Sequence, residues 1–180
     1  MNKRIDMWLA GLWRFFLSTL LLVSACHAHA AEKAPVLIGL DAEFGSKTST
    51  SAQAVQQGME IAIDEINRAG GVLRGRKLKL VMTDNKSIPA YGVDNLRELA
   101  AMEDLVGVFG AKFSPVVMEW VPVAHELGIP IFATWSSADG ITDHGFRPNF
   151  VFRLSLKDAW AAPVLLRFAK AKRHADRVGV

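Results

Sequence analysis

Short apolar runs alternate with amphipathic segments along most of this 180-residue chain. The apolar runs are bounded by Pro, Gly or polar residues and occupy residues 36–41, 77–83, 105–110 and 129–133. Apolar side chains then recur at three- to four-residue spacing over residues 51–68, 89–102 and 117–127. Strands and amphipathic helices that alternate at these lengths predict a parallel sheet with helices on both faces. The fold class is therefore expected to be α/β, with a doubly wound parallel sheet.

The loops that follow these strands are the expected places for a binding site. In an open parallel sheet, ligands lie beyond the carboxyl ends of the strands. The loops concerned are residues 41–50, 84–89, 110–115 and 134–140. They should share one edge of the sheet.

The first 30 residues have the order of a secretory signal peptide. Basic residues precede an apolar run at residues 15–25, which is short for a bilayer span and is followed by small residues. Two processing sites remain open, because Ala28-His29-Ala30 suits ordinary signal cleavage and Val23-Ser24-Ala25-Cys26 resembles the lipobox of bacterial lipoproteins. In the second case Cys26 becomes the acylated first residue. Both alternatives predict an exported protein.

Charge and motif content exclude several function classes. Outside residues 1–30 the chain has 18 basic and 17 acidic residues, a balance that offers no footprint for nucleic acid. The sequence contains no phosphate-binding loop, dinucleotide fingerprint or nucleophile elbow. The histidines are isolated and the only cysteine lies in the processing region, so neither a metal site nor thiol chemistry is indicated. We therefore expect no catalytic residue, no metal and no cofactor.

The segment from Ala52 to Val72 resembles a helix and turn of solute-binding proteins of the leucine/isoleucine/valine-binding family. The resemblance is carried by Gly58, by Glu65-Ile66-Asn67 and by Gly70-Gly71. Further matching pieces follow in the family's order, at Gly75-Arg76-Lys77-Leu78, Val108-Phe109-Gly110 and His125-Glu126-Leu127-Gly128-Ile129-Pro130. The resemblance covers about residues 36–180, and the ordered series is more specific than any single piece.

The resemblance implies a periplasmic binding protein fold of type I, in which two α/β lobes enclose a ligand cleft. Residues 31–150 would then form an incomplete first lobe, and residues 151–180 would hold the crossover with the first helix and strand of the second. Because the chain ends within that expected strand, the sequence is predicted to be truncated. In the helix before it, Val164, Leu165 and Phe168 are expected to form the inward face, which would stay uncovered without the rest of the second lobe.

The resemblance also implies five ligand-binding residues. Ser114 falls where the family places a hydroxyl that binds the carboxylate of an amino acid, although a helix N-cap is the alternative. Trp135, Ser136 and Ser137 fall where the family places backbone groups and another hydroxyl, with turn positions as the alternative for the serines. Trp135 is bulkier than the usual residue there, so it would either stack on a ligand or narrow the pocket. Phe44 stands in the first loop where Ser and Gly are usual, and the alternative to ligand contact there is an ordinary solvated loop.

The leading interpretation is an extracytoplasmic solute-binding subunit of an ABC importer. The implied partners are a small-molecule solute, such as an amino acid or an amide, and the permease of the transporter. The protein would reside in the periplasm, and its only membrane contact would be a lipid anchor on Cys26. An exported ligand-sensing module of a signalling system is the alternative. A secreted hydrolase is less favoured, because no nucleophile and base are found as a pair.

Overall fold

A computed structural model describes residues 33–45, 50–110, 112–175, 177 and 179. The predicted signal peptide, including Cys26, lies outside the described residues, as do residues 178 and 180 of the strand predicted at the end of the chain. Within the part that the structure describes, no helix is long and apolar enough to cross a bilayer.

Among these residues, five short strands form one sheet in which every neighbouring pair is parallel. The strands are β1 (Val36–Ala42), β2 (Leu78–Asp84), β3 (Leu105–Gly110), β4 (Ile131–Ala133) and β5 (Val151–Arg153). Their order across the sheet is β2-β1-β3-β4-β5. Because all the strands run the same way, their carboxyl ends lie at one edge, which we call the carboxyl edge. The expectation that the four loops share an edge is confirmed.

β5 comes from the stretch that was expected to open the crossover to a second lobe. It pairs with β4 in the register Ile131↔Val151 and Ala133↔Arg153. The strand therefore extends the sheet formed by β1–β4. The assignment of the residues that follow it to a second lobe stays a prediction.

In the described part of the chain, four α-helices follow strands of the sheet: α1 (Thr50–Arg68), α2 (Pro89–Ala100), α3 (Ser114–Leu127) and α4 (Asp158–Arg173). α2 and α3 carry proline in the first turn, where a missing N–H removes no helix bond. α1 is followed by Gly70 and Gly71, both with positive φ. A Cβ on Gly71 would lie 2.2 Å from the carbonyl oxygen of Arg76, so the tight turn into β2 requires glycine.

The helices pack on both faces of the sheet. The larger core cluster joins buried side chains of α2 and α3 to Val108, Ile131 and Val151 of the sheet. The smaller cluster joins Leu40 and its neighbours in the sheet to Ala52 and other residues of α1. Since adjacent residues of a strand point to opposite faces, the two clusters lie on opposite sides of the sheet. This confirms the doubly wound α/β prediction.

Trp120 of α3 fixes the end of β3 against α2. Its side chain is fully buried, and its Nε1 donates a hydrogen bond of 2.8 Å to the carbonyl oxygen of Gly92. A Cβ on Gly110 would lie 2.8 Å from the Trp120 ring, and one on Gly92 would lie 2.3 Å from Val116. These close approaches position the carboxyl end of β3 beside the start of α3.

No residue of α4 is buried. Val164, Leu165 and Phe168, which form the expected inward face of this helix, are each more than half exposed, and an uncovered apolar face was expected here. The physical reason is that no element among the described residues covers them.

Candidate functional site

The segment after β4 is tied to the end of β3 by Thr134. Its backbone N–H and its hydroxyl both donate to the carbonyl oxygen of Gly110, at 3.1 and 2.7 Å. The chain therefore leaves β4 in a fixed direction at the carboxyl edge. Residues 135–138 follow directly.

Ser114, at the start of α3, holds the same segment from the other side. Its Oγ accepts hydrogen bonds from the N–H groups of Ser137 at 3.2 Å and Ala138 at 3.3 Å. The N-cap of α3 is Phe113, so Ser114 does not fill the alternative role of a capping residue. A hydroxyl that accepts these bonds still has one hydrogen to donate. Ser114 therefore keeps its hydroxyl hydrogen available close to the backbone of Ser137.

Arg153, the last residue of β5, stabilises the segment of residues 135–138 by hydrogen bonds to its carbonyl groups. Its Nη1 donates to the carbonyl oxygen of Ser136 at 3.0 Å, and its Nη2 donates to that of Ala138 at 2.6 Å. Nε reaches the hydroxyl of Thr142 at 3.3 Å. A planar guanidinium is suited to such a fork of acceptors. Sequence reasoning missed this residue, because nothing local marks an arginine at a strand end as a partner of distant carbonyl groups.

A cavity of about 350 Å³ opens between this segment and the start of α4. Its lining consists of Thr134, Trp135, Ser137, Ser155, Leu156, Asp158 and Ala161. The two sides are linked, since the N–H of Asp158 donates to the carbonyl oxygen of Ser137 at 3.0 Å. The lining combines hydroxyl groups, an aromatic ring, aliphatic surface and one carboxylate.

The structure brings three of the five predicted site residues together. Trp135 and Ser137 line the cavity, and Ser114 is hydrogen-bonded to the backbone beside them. Ser136 is fully buried and lies outside the lining. Phe44 packs against the core cluster under α1, so it is not brought into the lining. Ligand binding by each of the five residues stays a prediction.

A second polar arrangement occupies the β1 and β2 end of the carboxyl edge. Asp41 is fully buried and accepts hydrogen bonds from Thr83 Oγ1 at 2.8 Å, Asn85 Nδ2 at 2.8 Å and Asn95 Nδ2 at 2.7 Å. Burial raises the pKa of Asp41 from its ordinary 3.8 to about 6, although the three donors act to lower it. The network joins β1, β2 and α2.

Glu43 and Lys112 lie in neighbouring loops at the same edge. Glu43 is buried, and one of its carboxylate oxygens is 3.9 Å from Lys112 Nζ. The carboxyl edge near β1 and β2 therefore carries carboxylate groups. Asp41 accepts hydrogen bonds from amide side chains, and Glu43 lies near a lysine. The cavity lies at the other end of this edge, next to β4, where Thr134, Ser137 and Ser155 supply hydroxyl groups.

A doubly wound parallel sheet with a polar and aromatic cavity at its carboxyl edge is the arrangement in which α/β proteins bind small ligands. The chain belongs to the periplasmic binding protein family, whose model matches residues 35–180. The resemblance read from the sequence is confirmed.

Curated relatives and solved structures agree with this membership. A Leu/Ile/Val-binding protein homolog of Brucella abortus is 33% identical over 126 residues, which are 69% of this chain and 31% of the relative. The Leu/Ile/Val-binding protein BraC3 of Rhizobium johnstonii is 27% identical over 164 residues, covering 91% of this chain and 43% of BraC3. The chain thus spans less than half the length of these relatives.

The fold matches branched-chain amino-acid binding proteins of known structure. The protein LivJ of Streptococcus pneumoniae, solved with isoleucine, superposes with a TM-score of 0.70 at 26% identity, over 78% of this chain and 39% of LivJ. A substrate-binding protein of Desulfitobacterium hafniense, solved with leucine, gives 0.66 at 28% identity, over 77% of this chain and 39% of that one. These neighbours confirm the type I fold. The family and its structural neighbours are solute-binding proteins and not enzymes.

Proposed function

We propose that this chain is part of an extracytoplasmic solute-binding subunit of an ABC importer. It binds an amino acid or a similar small organic solute and passes it to a membrane permease. The names of the relatives and the amino acids held by the neighbouring structures support this role. Export follows from the signal-like residues 1–30, and a lipid anchor on Cys26 remains part of the proposal.

The proposal rests mainly on two hydroxyl groups, that of Ser137 after β4 and that of Ser114 at the start of α3. Thr134 and Ser155 also lie at the cavity, but their hydroxyl hydrogens go to the carbonyl oxygens of Gly110 and Ser136. The hydroxyl of Ser137 makes no hydrogen bond within the described residues, and that of Ser114 only accepts. Two donors are therefore held ready for a carboxylate, on a backbone that Thr134 and Arg153 keep in place.

Removing the Ser137 hydroxyl tests this role. We expect Ser137→Ala to weaken solute binding by about 1 to 3 kcal/mol, because a charged carboxylate would lose a donor. Calorimetry with leucine and phenylalanine measures the affinities of the wild type and the variant. Ser87→Ala is the matched control, since it makes the same change at the same edge but in the loop after β2. Unchanged affinity in both Ser114→Ala and Ser137→Ala would place the site elsewhere.

A further inference from the structure

Trp135 is an exposed aromatic side chain whose ring has no ring or cation partner among the described residues. Its exposed fraction is 58%, although it lines the cavity. Trp160 is exposed to a similar degree, at 63%, but Lys157 Nζ lies 5.6 Å from the centre of its ring. Tyr91 likewise has Lys86 over its ring, and Phe152 is stacked on Phe132. The indole of Trp135 therefore offers an unoccupied flat face inside the candidate site.

The residues next to the Trp135 ring make this part of the cavity suitable for an apolar part of a solute. Leu156 and Ala161 add aliphatic surface to the lining, and Trp135 is its largest side chain. Ser137, with its free hydroxyl, is two residues further along the same segment. A solute whose carboxylate reaches Ser137 can place its next few atoms against Trp135. The cavity of about 350 Å³ has room for a small ring.

We infer that the solute carries an aromatic ring that stacks on Trp135, next to a carboxylate that binds Ser114 and Ser137. This inference rests on the proposed function and names the class of solute for the same site. A flat ring can lie offset on an indole and contact it over its whole area, whereas a branched aliphatic group touches it at only a few atoms. Stacking of this kind corresponds to about a 3- to 10-fold gain in affinity.

Two kinds of solute share this chemistry. One is an aromatic amino acid, whose ammonium group would find the carboxylate of Asp158, the one charged side chain among the described residues of the cavity lining. The other is an aromatic acid without an amino group. A pair of probes that differ only in that group separates them.

The experiment compares three probes on three forms of the full chain. The probes are L-phenylalanine, 3-phenylpropionate and L-leucine, and the forms are the wild type, Trp135→Ala and Trp160→Ala. Affinities are measured by ligand-observed NMR with probe concentrations up to about 10 mM, so that weak binding is detected. Trp160→Ala is the matched control, because it removes an equally exposed tryptophan that does not line the cavity.

We expect the wild type to bind an aromatic probe at least about 3-fold more tightly than leucine. Trp135→Ala should remove that preference without unfolding the chain, since its side chain is exposed, and Trp160→Ala should keep it. Tighter binding of phenylalanine than of phenylpropionate identifies an aromatic amino acid, and the reverse identifies an aromatic acid.

The results that overturn the inference differ from those that overturn the proposed function. Leucine binding as tightly as both aromatic probes, or an aromatic preference that survives Trp135→Ala, overturns the stacking role and leaves solute binding in place. If none of the three probes binds the wild type, the proposed function and this inference both fail.

Discussion

Arg153→Ala is expected to lower the free energy of unfolding by about 3 kcal/mol and to abolish solute binding at the carboxyl edge. The estimate rests on the two shortest hydrogen bonds of the guanidinium, to the carbonyl oxygens of Ser136 and Ala138. A bond from a charged donor contributes about 1.5 kcal/mol or more, and a carbonyl group left without its partner adds to the loss. Without the guanidinium, the segment that contains Ser137 would no longer be held in place. Solute affinity should therefore decrease together with the free energy of unfolding.

Denaturant unfolding and calorimetry measure the two effects. Arg153→Lys should recover only part of the stability, because an ammonium group cannot reproduce the fork. Arg97→Ala is the matched control, since Arg97 of α2 forms a bidentate ion pair with Glu126 of α3 on the exposed surface. Exposed ion pairs contribute little to stability, so this variant should unfold nearly as the wild type does. Equal losses in Arg153→Ala and Arg97→Ala would contradict the bracing role.

Asp41 is expected to make the protein less stable as the pH rises from about 4 to about 7. Its pKa in the folded protein is about 6, against an ordinary value of 3.8, because burial disfavours the charged form. The folded state therefore binds more protons than the unfolded state between these values, and stability falls as the pH rises through that window. The full loss corresponds to about 3 kcal/mol and is complete above the folded pKa.

Denaturant unfolding at several pH values tests this behaviour. Asp41→Asn cannot ionise, so its stability should lack the decline that the wild type shows over this pH range. Thr83→Val removes one hydrogen bond to the carboxylate, which should raise the pKa further and keep or enlarge the decline. An Asp41→Asn variant with the same pH dependence as the wild type would show that another group is responsible.

The fold could be predicted from the sequence because the periodicity of apolar residues reports local structure directly. The runs at residues 36–41 and 105–110 became β1 and β3, and the segment at residues 51–68 became α1. Periodicity alone did not show what covers a helix. The spacing of Val164, Leu165 and Phe168 gave the inward face of α4, and no described element lies over that face.

The site could be predicted only in part, because its supporting bonds join residues that are far apart in sequence. Ser114 and Ser137 came from a family resemblance, which gives positions without contacts. Asp41 meets Thr83, Asn85 and Asn95 only after β1 and β2 pair and α2 packs on them. Phe44 was a candidate ligand contact because of its place in the first loop, yet it is partly buried against the core cluster under α1.

Amide NMR spectra of the isotope-labelled chain, recorded while phenylalanine or leucine is added, test most directly whether the carboxyl edge at β4 binds solute. We predict that the largest shifts fall on residues 134–138 and 155–158, around the cavity. The outer face of α1 provides an internal comparison, since a second cavity of about 430 Å³ lies there beside Gln57, Glu60, Ile61 and Asp64. Shifts confined to that face, or no shifts with either amino acid, would contradict the account.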